Sequence, residues 1–569
     1  MCSGPLRCAG RADRITGMDT TPPDWDHCGI GSSADDPGGC RGVRAAGTRC
    51  LAHLEPADRE AYLVGLRPGA DLDCRGVTFD AELIRDLLAR LRGDDGRPVC
   101  GDALFTQARF TEDTDFSRVR FDGEGVFEGA HFEASVVFDG ARFERGGWFV
   151  GASFAGAAGF GGVRFAADAG FGSADFRERA WFGGAHFGGR AWFGETVFHG
   201  EAEFLRAVFA GGWVGPFVCH GTLGMVEAEF RNALQISVMA ARIDARSARF
   251  EGAVALRARW ATVDLTNAVL LFPSSVATDL STPRHPGEEA LSDVHDIEVS
   301  IASIRGVDAS MLLLSDVDLT RCRFSGAHHL DQLRFEGKWR LSAAPRGVQW
   351  SRGIPRWCTK RQIIEEERQW RTSPRRRRPA RHAWGDPPES PDDVPGLATL
   401  TTTYRQLRKA REDAKDEPGA ADFYYGEMEM RRYSHRPRKA ERWLLQAYWL
   451  LSGYGLRASR ALVGLGLAMA ATIVLMVASG LPDTPARPYP ASAGVLGKQH
   501  PRLQRPFLDR FTGERAEKAA DVVIHSVVFR TSGQDLTTAG TYIEMVSRLT
   551  EPALLGLAVL AVRGRIKRG

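Results

Sequence analysis

Few residues in this 569-residue chain are placed to do chemistry. The segments "HCGIG", "GGCRG" and "RCLAHL" bring Cys28, Cys40, Cys50 and His53 within 26 residues. Three thiols and an imidazole are a donor set for tetrahedral zinc, which would staple a small, loop-rich cap. No CxxC knuckle accompanies them, and gaps of 11 and 9 residues between the cysteines are unusual for such a site, so the spacing weighs against zinc. "GIGSSA" at 29–34 carries the first two glycines of a dinucleotide loop, but no strand precedes it and no acidic residue follows in a βαβ frame. Chance explains it better. The sequence holds no P-loop ending in Gly-Lys-Ser or Gly-Lys-Thr, no HExxH and no GxSxG. His328 and His329 stand among repeat residues and read as surface positions. No residue set supports an enzyme, and no cofactor is expected apart from that zinc.

The elements that would position such residues follow from composition and periodicity. A content of 43% hydrophobic and 25% charged residues is that of folded protein, and the length suggests three or four units. The formal charge of +3 identifies no partner, although basic residues gather in "RRRR" at 375–378 and in the tail "RGRIKRG". Ten cysteines at 2, 8, 28, 40, 50, 74, 100, 219, 322 and 358 are too unevenly spaced for a disulfide framework. The opening "MCSGPLRCAGRADRITGMDTT" has no apolar core for secretion, and Met18 is an alternative start, so the N-terminal part is expected in the cytoplasm.

One pattern dominates. Phe105, Phe110, Phe116, Phe121, Phe127, Phe132, Phe138, Phe143, Phe149, Phe154, Phe160, Phe165, Phe171, Phe176, Phe182, Phe187, Phe193, Phe198, Phe204 and Phe209 follow one another at alternating steps of five and six. Two residues before each stands Ala thirteen times, Val three, Thr two and Gly two. A helix would rotate the two Phe series about 140° apart, and the dense glycines would cost it about 1 kcal/mol each. Short extended segments fit instead, because residues i and i+2 share a face and point inward together. Pairs such as "GG", "ER" and "DG" then turn the corner, and the chain winds into stacked coils about 4.8 Å apart.

This register resembles the pentapeptide-repeat family, which implies a β-solenoid: a right-handed quadrilateral β-helix with Phe or Leu at the centre of each unit. Alternate units here carry a sixth residue, which predicts wider corners or bulges. Four units per coil give the twenty Phe five coils, roughly 24 Å of rod. "AEF" at 228–230, "ARI" at 241–243, "ARF" at 248–250, "DLTNAVL" at 264–270 and the inward series Leu314, Leu319, Phe324, Leu330 and Phe335 continue it irregularly. The expected organisation is an N-terminal cap region, partly disordered, over 1–98 and an interrupted solenoid over 99–337 with an insertion at 272–304. A helix and Pro/Arg-rich linker over 338–403, a helical hairpin over 404–440 and an α-helical membrane domain over 441–569 complete it.

"ALVGLGLAMAATIVLMVASGL" at 461–481 has 21 residues without a charge, about 31 Å of helix and enough to span a bilayer. Arg457 and Arg460, with Trp443, Tyr448, Trp449 and Tyr454 upstream, suit an interface. A second span over 552–562 is short. Extended back to Tyr542 it takes in Glu544, Arg548 and Glu551, of which Glu544 and Arg548 have the spacing to pair. Basic residues outside both spans place both ends in the cytoplasm. Between the spans, "AADVVIHSVVF" at 519–529 has the length of a re-entrant pore helix. The order helix, half-helix, glycine-bearing loop, helix resembles the two-span pore module of potassium channels. That resemblance places Thr531, Ser532, Gly533, Gln534 and Asp535 at the filter, with one glycine missing and Gln534 in place of the aromatic.

The functional expectation is a membrane-anchored scaffold or interaction module without enzymatic activity, with an unknown protein partner and possible homo-oligomers through the membrane domain. An oligomeric cation channel regulated by the solenoid is the first alternative. The second, a DNA mimic that inhibits topoisomerase, is implied by soluble members of the same family. It needs a continuous acidic face, whereas 16 acidic residues and 10 arginines are interspersed over 101–217, so no nucleic-acid partner is expected.

Overall fold

In the computed structural model the described residues are 23–33, 36, 38–210, 214–280, 285, 287–292, 296–345, 347–351, 354–358, 360–373, 384–388, 393–434, 440–483, 488–491, 495–498, 503, 506–527 and 535–566. The chain divides into two compact units, Met1–His329 with Leu333–Ser342, and Leu330–Gln332 with Ala343–Gly569.

The first unit is a β-solenoid. Each coil over the Phe run contributes four two-residue strands, such as Ala103–Leu104, Arg109–Phe110, Thr114–Asp115 and Arg120–Phe121. Each pairs in parallel with its counterpart 22 residues on: Ala103 with Gly125, Arg109 with His131, Thr114 with Val136 and Arg120 with Arg142. The small residue and the Phe of each unit face inward, and all twenty Phe are at most 5% exposed. Rings on one face stack with centroids 4.4–5.4 Å apart, as in Phe154 on Phe176 and Phe165 on Phe187. Rings on opposite faces meet edge to face across the shaft, as in Phe138 against Phe149 at 5.3 Å. Both arrangements satisfy the ring quadrupole while filling the shaft.

The two corner types differ physically. At five-residue steps the Phe carbonyl accepts the N–H three residues on, as from Ala108 to Phe105 at 3.0 Å, and the residue before that donor takes positive φ. These are type II turns, so Gly129, Gly140, Gly151 and Gly162 are at ease there, while Gln107 and Arg118 adopt φ of 55° and 59° in the same role. At several six-residue steps the bend opens and a carboxylate from one coil accepts a backbone N–H of the next: Asp102 from Glu124, Asp113 from Ser135 and Asp168 from Arg190.

The ladder extends N-terminal of residue 99. Leu72–Asp73 pairs with Ala103–Leu104, Thr78–Phe79 pairs with Arg109–Phe110, and Phe79 stacks on Phe110 at 5.3 Å. Helix α1 (Pro56–Gly65) precedes this rung. Helix α2 (Ala81–Arg90), capped by Asp80 accepting from the Leu83 N–H at 2.8 Å, follows it and buries Leu83, Ile84, Leu87 and Leu88. Beyond Phe209 the coil shortens, with Glu229 over Arg249 and Arg249 over Val269, and strands lengthen to Val214–Gly224 and Leu234–Asp244. Within 272–304 both ends are rungs: Ser274–Thr278 and Val299–Ser303 each pair with coils on either side. Between them the described residues carry the short helix α3 (Glu289–Ser292).

The second unit is mainly helical: α4 (Glu365–Thr372), α5 (Leu397–Asp413), α6 (Glu417–Ser434), α7 (Ala440–Ser452), α8 (Ala458–Leu475), α9 (Gly513–Val527) and α10 (Thr538–Ile566). Helices α5 and α6 pack together across the turn 414–416. Pro418 and Gly419 lie in the first turn of α6, where proline is tolerated, and the hairpin turns a few residues earlier, at Lys415 with φ of 60°. Two stretches, Ala458–Gly480 and Thr538–Val562, are long and apolar enough to cross a membrane.

Candidate functional site

Two hairpins build the N-terminal cluster. In the first, Cys28 N–H donates to Gly42 at 2.9 Å, Gly29 N–H to Cys40 at 2.8 Å and Cys40 N–H to Ile30 at 2.9 Å, so Cys28 and Cys40 sit on facing arms. In the second, Arg44–Ala46 pairs with Arg49–Cys50, and the 3-10 turn Leu51–His53 brings His53 back beneath Cys50. Gly42 permits the approach of the two hairpins, since a β-carbon there would lie 2.8 Å from the Cys50 sulfur.

The four donor atoms converge, all within 4.8 Å of one another. Cys40 Sγ is 3.6 Å from Cys50 Sγ, and His53 Nδ1 is 3.3 Å from Cys50 Sγ and 3.6 Å from Cys28 Sγ. A hydrogen bond from the Cys40 thiol depresses the Cys50 pKa against the opposing effect of burial, with His53 adding to the depression. The cysteine gaps gave no sign of this convergence; the two-residue gap between Cys50 and His53 is closed by one helical turn. "GIGSSA" belongs to this cluster rather than to a phosphate loop: Gly29 and Gly31, with φ of 70° and 80°, turn the chain just after Cys28.

The helical unit holds a second concentration of polar groups. Glu367 is fully buried and accepts from Arg361 at 2.6 and 2.7 Å, from Arg371 at 2.7 Å and from the Tyr404 hydroxyl. Burial alone would raise its pKa, but the two guanidiniums outweigh it and hold Glu367 at about 2. Glu429 accepts from Arg432 at 2.8 Å and from the Tyr454 hydroxyl at 3.1 Å. Each of these two carboxylates pairs with arginine, the arrangement of a structural junction joining α4, α5 and α6. Tyr454 is therefore buried in this junction, whereas Trp443, Leu444 and Leu450 form the exposed apolar face of α7.

Beside the two candidate membrane helices α9 packs against α8 and α10, burying Met476, Val477, Leu481, Ala519 and Val522. Arg515 donates to the carbonyls of Val477 and Leu481 at 3.1 and 2.6 Å and pairs with Asp483 at 2.6 Å, closing the C-terminal end of the first candidate helix. Within α10 Arg548 pairs with Glu544 at 2.5 Å, and Glu551 accepts from Thr472 of α8 at 2.9 Å. Thr531, Ser532, Gly533 and Gln534 lie outside the described residues, as does "RRRR" at 375–378; Asp535 is described and exposed. His329 faces Asp308 at 3.0 Å on the surface.

Compared with known proteins, residues 105–153 and 149–197 match the family model for pentapeptide repeats (nine copies). No curated protein and no solved structure matches. The solenoid is thus one of about ten turns built from pentapeptide repeats, followed by a helical region with two candidate membrane helices.

Proposed function

We propose that this protein is a non-enzymatic, membrane-anchored scaffold whose solenoid presents an interaction surface, with the solenoid and the C-terminal tail in the cytoplasm. The supporting observation is the outward face of the two long helices. Leu462, Val463, Leu467 and Val474 on α8 and Met545, Val546, Leu549 and Leu560 on α10 are all more than half exposed, an apolar surface suited to lipid or to another copy of the chain. On the solenoid, arginines and carboxylates pair across the surface, as Arg120 with Asp122 and Arg206 with Glu227, which suits protein contacts better than mimicry of a phosphate backbone.

A second reading, an oligomeric cation channel, draws on α9 lying between two candidate spans. Conductance separates the two. Purified full-length protein in planar bilayers stays silent as a scaffold, and carries current that Gly533→Val alters if it is a channel. Resistance to carbonate extraction tests the anchor on which both depend. Topoisomerase inhibition by the purified chain would favour the DNA-mimic alternative over both.

A further inference from the structure

We infer that Cys28, Cys40, Cys50 and His53 form a closed structural zinc site that clips the N-terminal cap onto the first coil. Ideal tetrahedral zinc, with bonds of about 2.3 Å to sulfur and 2.0–2.1 Å to nitrogen, sets donor separations of roughly 3.8 Å between sulfurs and 3.5 Å between sulfur and nitrogen. The observed separations of 3.6, 3.6 and 3.3 Å nearly match those edges. A disulfide between Cys40 and Cys50 would need the sulfurs at about 2.05 Å. The donor set is three thiols and one imidazole drawn from two hairpins, so the ion joins segments that backbone pairing alone holds only locally.

The chemistry balances without an oxidant. Zinc displaces the thiol protons to water, each thiolate donates a lone pair, and neutral His53 donates through Nδ1. Four protein ligands leave no open position, which makes the site structural rather than catalytic. Its place in the fold explains its use. The arm carrying Cys40 and Gly42 continues into Val43, whose N–H donates to Arg75 of the first coil at 2.8 Å, and the Trp25 ring lies 5.2 Å from the Arg75 guanidinium while its indole donates to Arg41 at 2.9 Å. A solenoid end without a cap exposes its shaft, here Phe79 and the rings above it.

The test uses the full-length chain in detergent, stripped with chelator under reducing conditions and titrated with Co(II) and then Zn(II). The expected result is one equivalent bound, with the ligand-field absorption of tetrahedral cobalt and a thiolate charge-transfer band, both bleached by Zn(II). Cys50→Ser and His53→Ala abolish them. His53→Cys restores stoichiometric binding with the spectrum of a four-thiolate site, which separates lost ligation from lost folding. In hydrogen exchange, amides of 28–53 gain protection on zinc addition while those of 105–209 do not change. A chain that shows no tetrahedral cobalt spectrum, binding that persists in Cys50→Ser, or a Cys40–Cys50 disulfide found by mass spectrometry in the untreated protein would overturn the assignment.

Discussion

At the residue scale, the inward ring is the unit of stability. Phe149 is fully buried, stacks on Phe127 and Phe171 at 5.0 Å each, and meets Phe138 and Phe160 edge to face. Phe149→Ala should cost about 3–5 kcal/mol, because the shaft cannot collapse around one missing ring; the measurement is the opening free energy of nearby strand amides by hydrogen exchange. A loss under about 1 kcal/mol would contradict a packed shaft. This ring column was legible in the sequence because its period is strict. Glu367 was not, since "EEERQWR" reads as a charged, solvated helix and only tertiary packing shows that its carboxylates are buried. With its pKa held at about 2, against an ordinary value of 4.5, Glu367 stabilises the fold fully above 4.5 and loses that contribution as pH falls towards 2. Glu367→Gln should flatten the acid-induced loss of protection in α4 over that window. It should also destabilise α4 at neutral pH, where Arg361 and Arg371 lose their shared anion.

At the scale of elements, the departures from regular coiling are held by specific contacts. The segment carrying α3 returns to the solenoid through Glu288, fully buried, which accepts from Arg259 Nη1 at 3.1 Å with both carboxylate oxygens, and through Leu291 packed on Val218, Met239 and Trp260. Glu288→Ala should cost about 1–3 kcal/mol locally, because it removes the doubly bonded carboxylate from a desolvated guanidinium that it shares with Asp279. Limited proteolysis within 279–298 is the readout, and Arg259→Met with Glu288→Leu should recover much of the resistance. Equal cleavage in the single variant and the parent would show that the segment is not clamped there. The sequence pointed to an irregularity here but could not delimit it. Short strands such as Val299–Ser303 lack the Phe signature and are identified only by the coils they pair with. Likewise Leu72–Asp73 and Thr78–Phe79 are rungs separated from the Phe run by α2, and a helix inserted in a repeat hides its period.

At the scale of the molecule, the decisive question is what covers the apolar faces of α8 and α10. Leu467 lies near the middle of Ala458–Gly480 and is 68% exposed. In a water-soluble protein an exposed Leu→Arg change costs within about 0.5 kcal/mol, whereas arginine at the centre of a bilayer-spanning helix costs about 2.5–3.5 kcal/mol by insertion scales. The two environments therefore predict opposite outcomes for one substitution. Leu467→Arg should shift a substantial fraction of the chain from the carbonate-resistant pellet to the supernatant or to degradation. The inward changes Thr472→Val and Glu551→Gln should leave membrane association intact, because they alter the contact between the helices rather than their exposed apolar surface. On the proposed two-span reading, a second crossing returns the chain to its starting side, so tags placed before residue 23 and after residue 569 should be protected or cleaved together in sealed vesicles. Arginine tolerated at 467 with full carbonate resistance would mean that this face is not buried in lipid, and tags on opposite sides would mean that α10 does not cross.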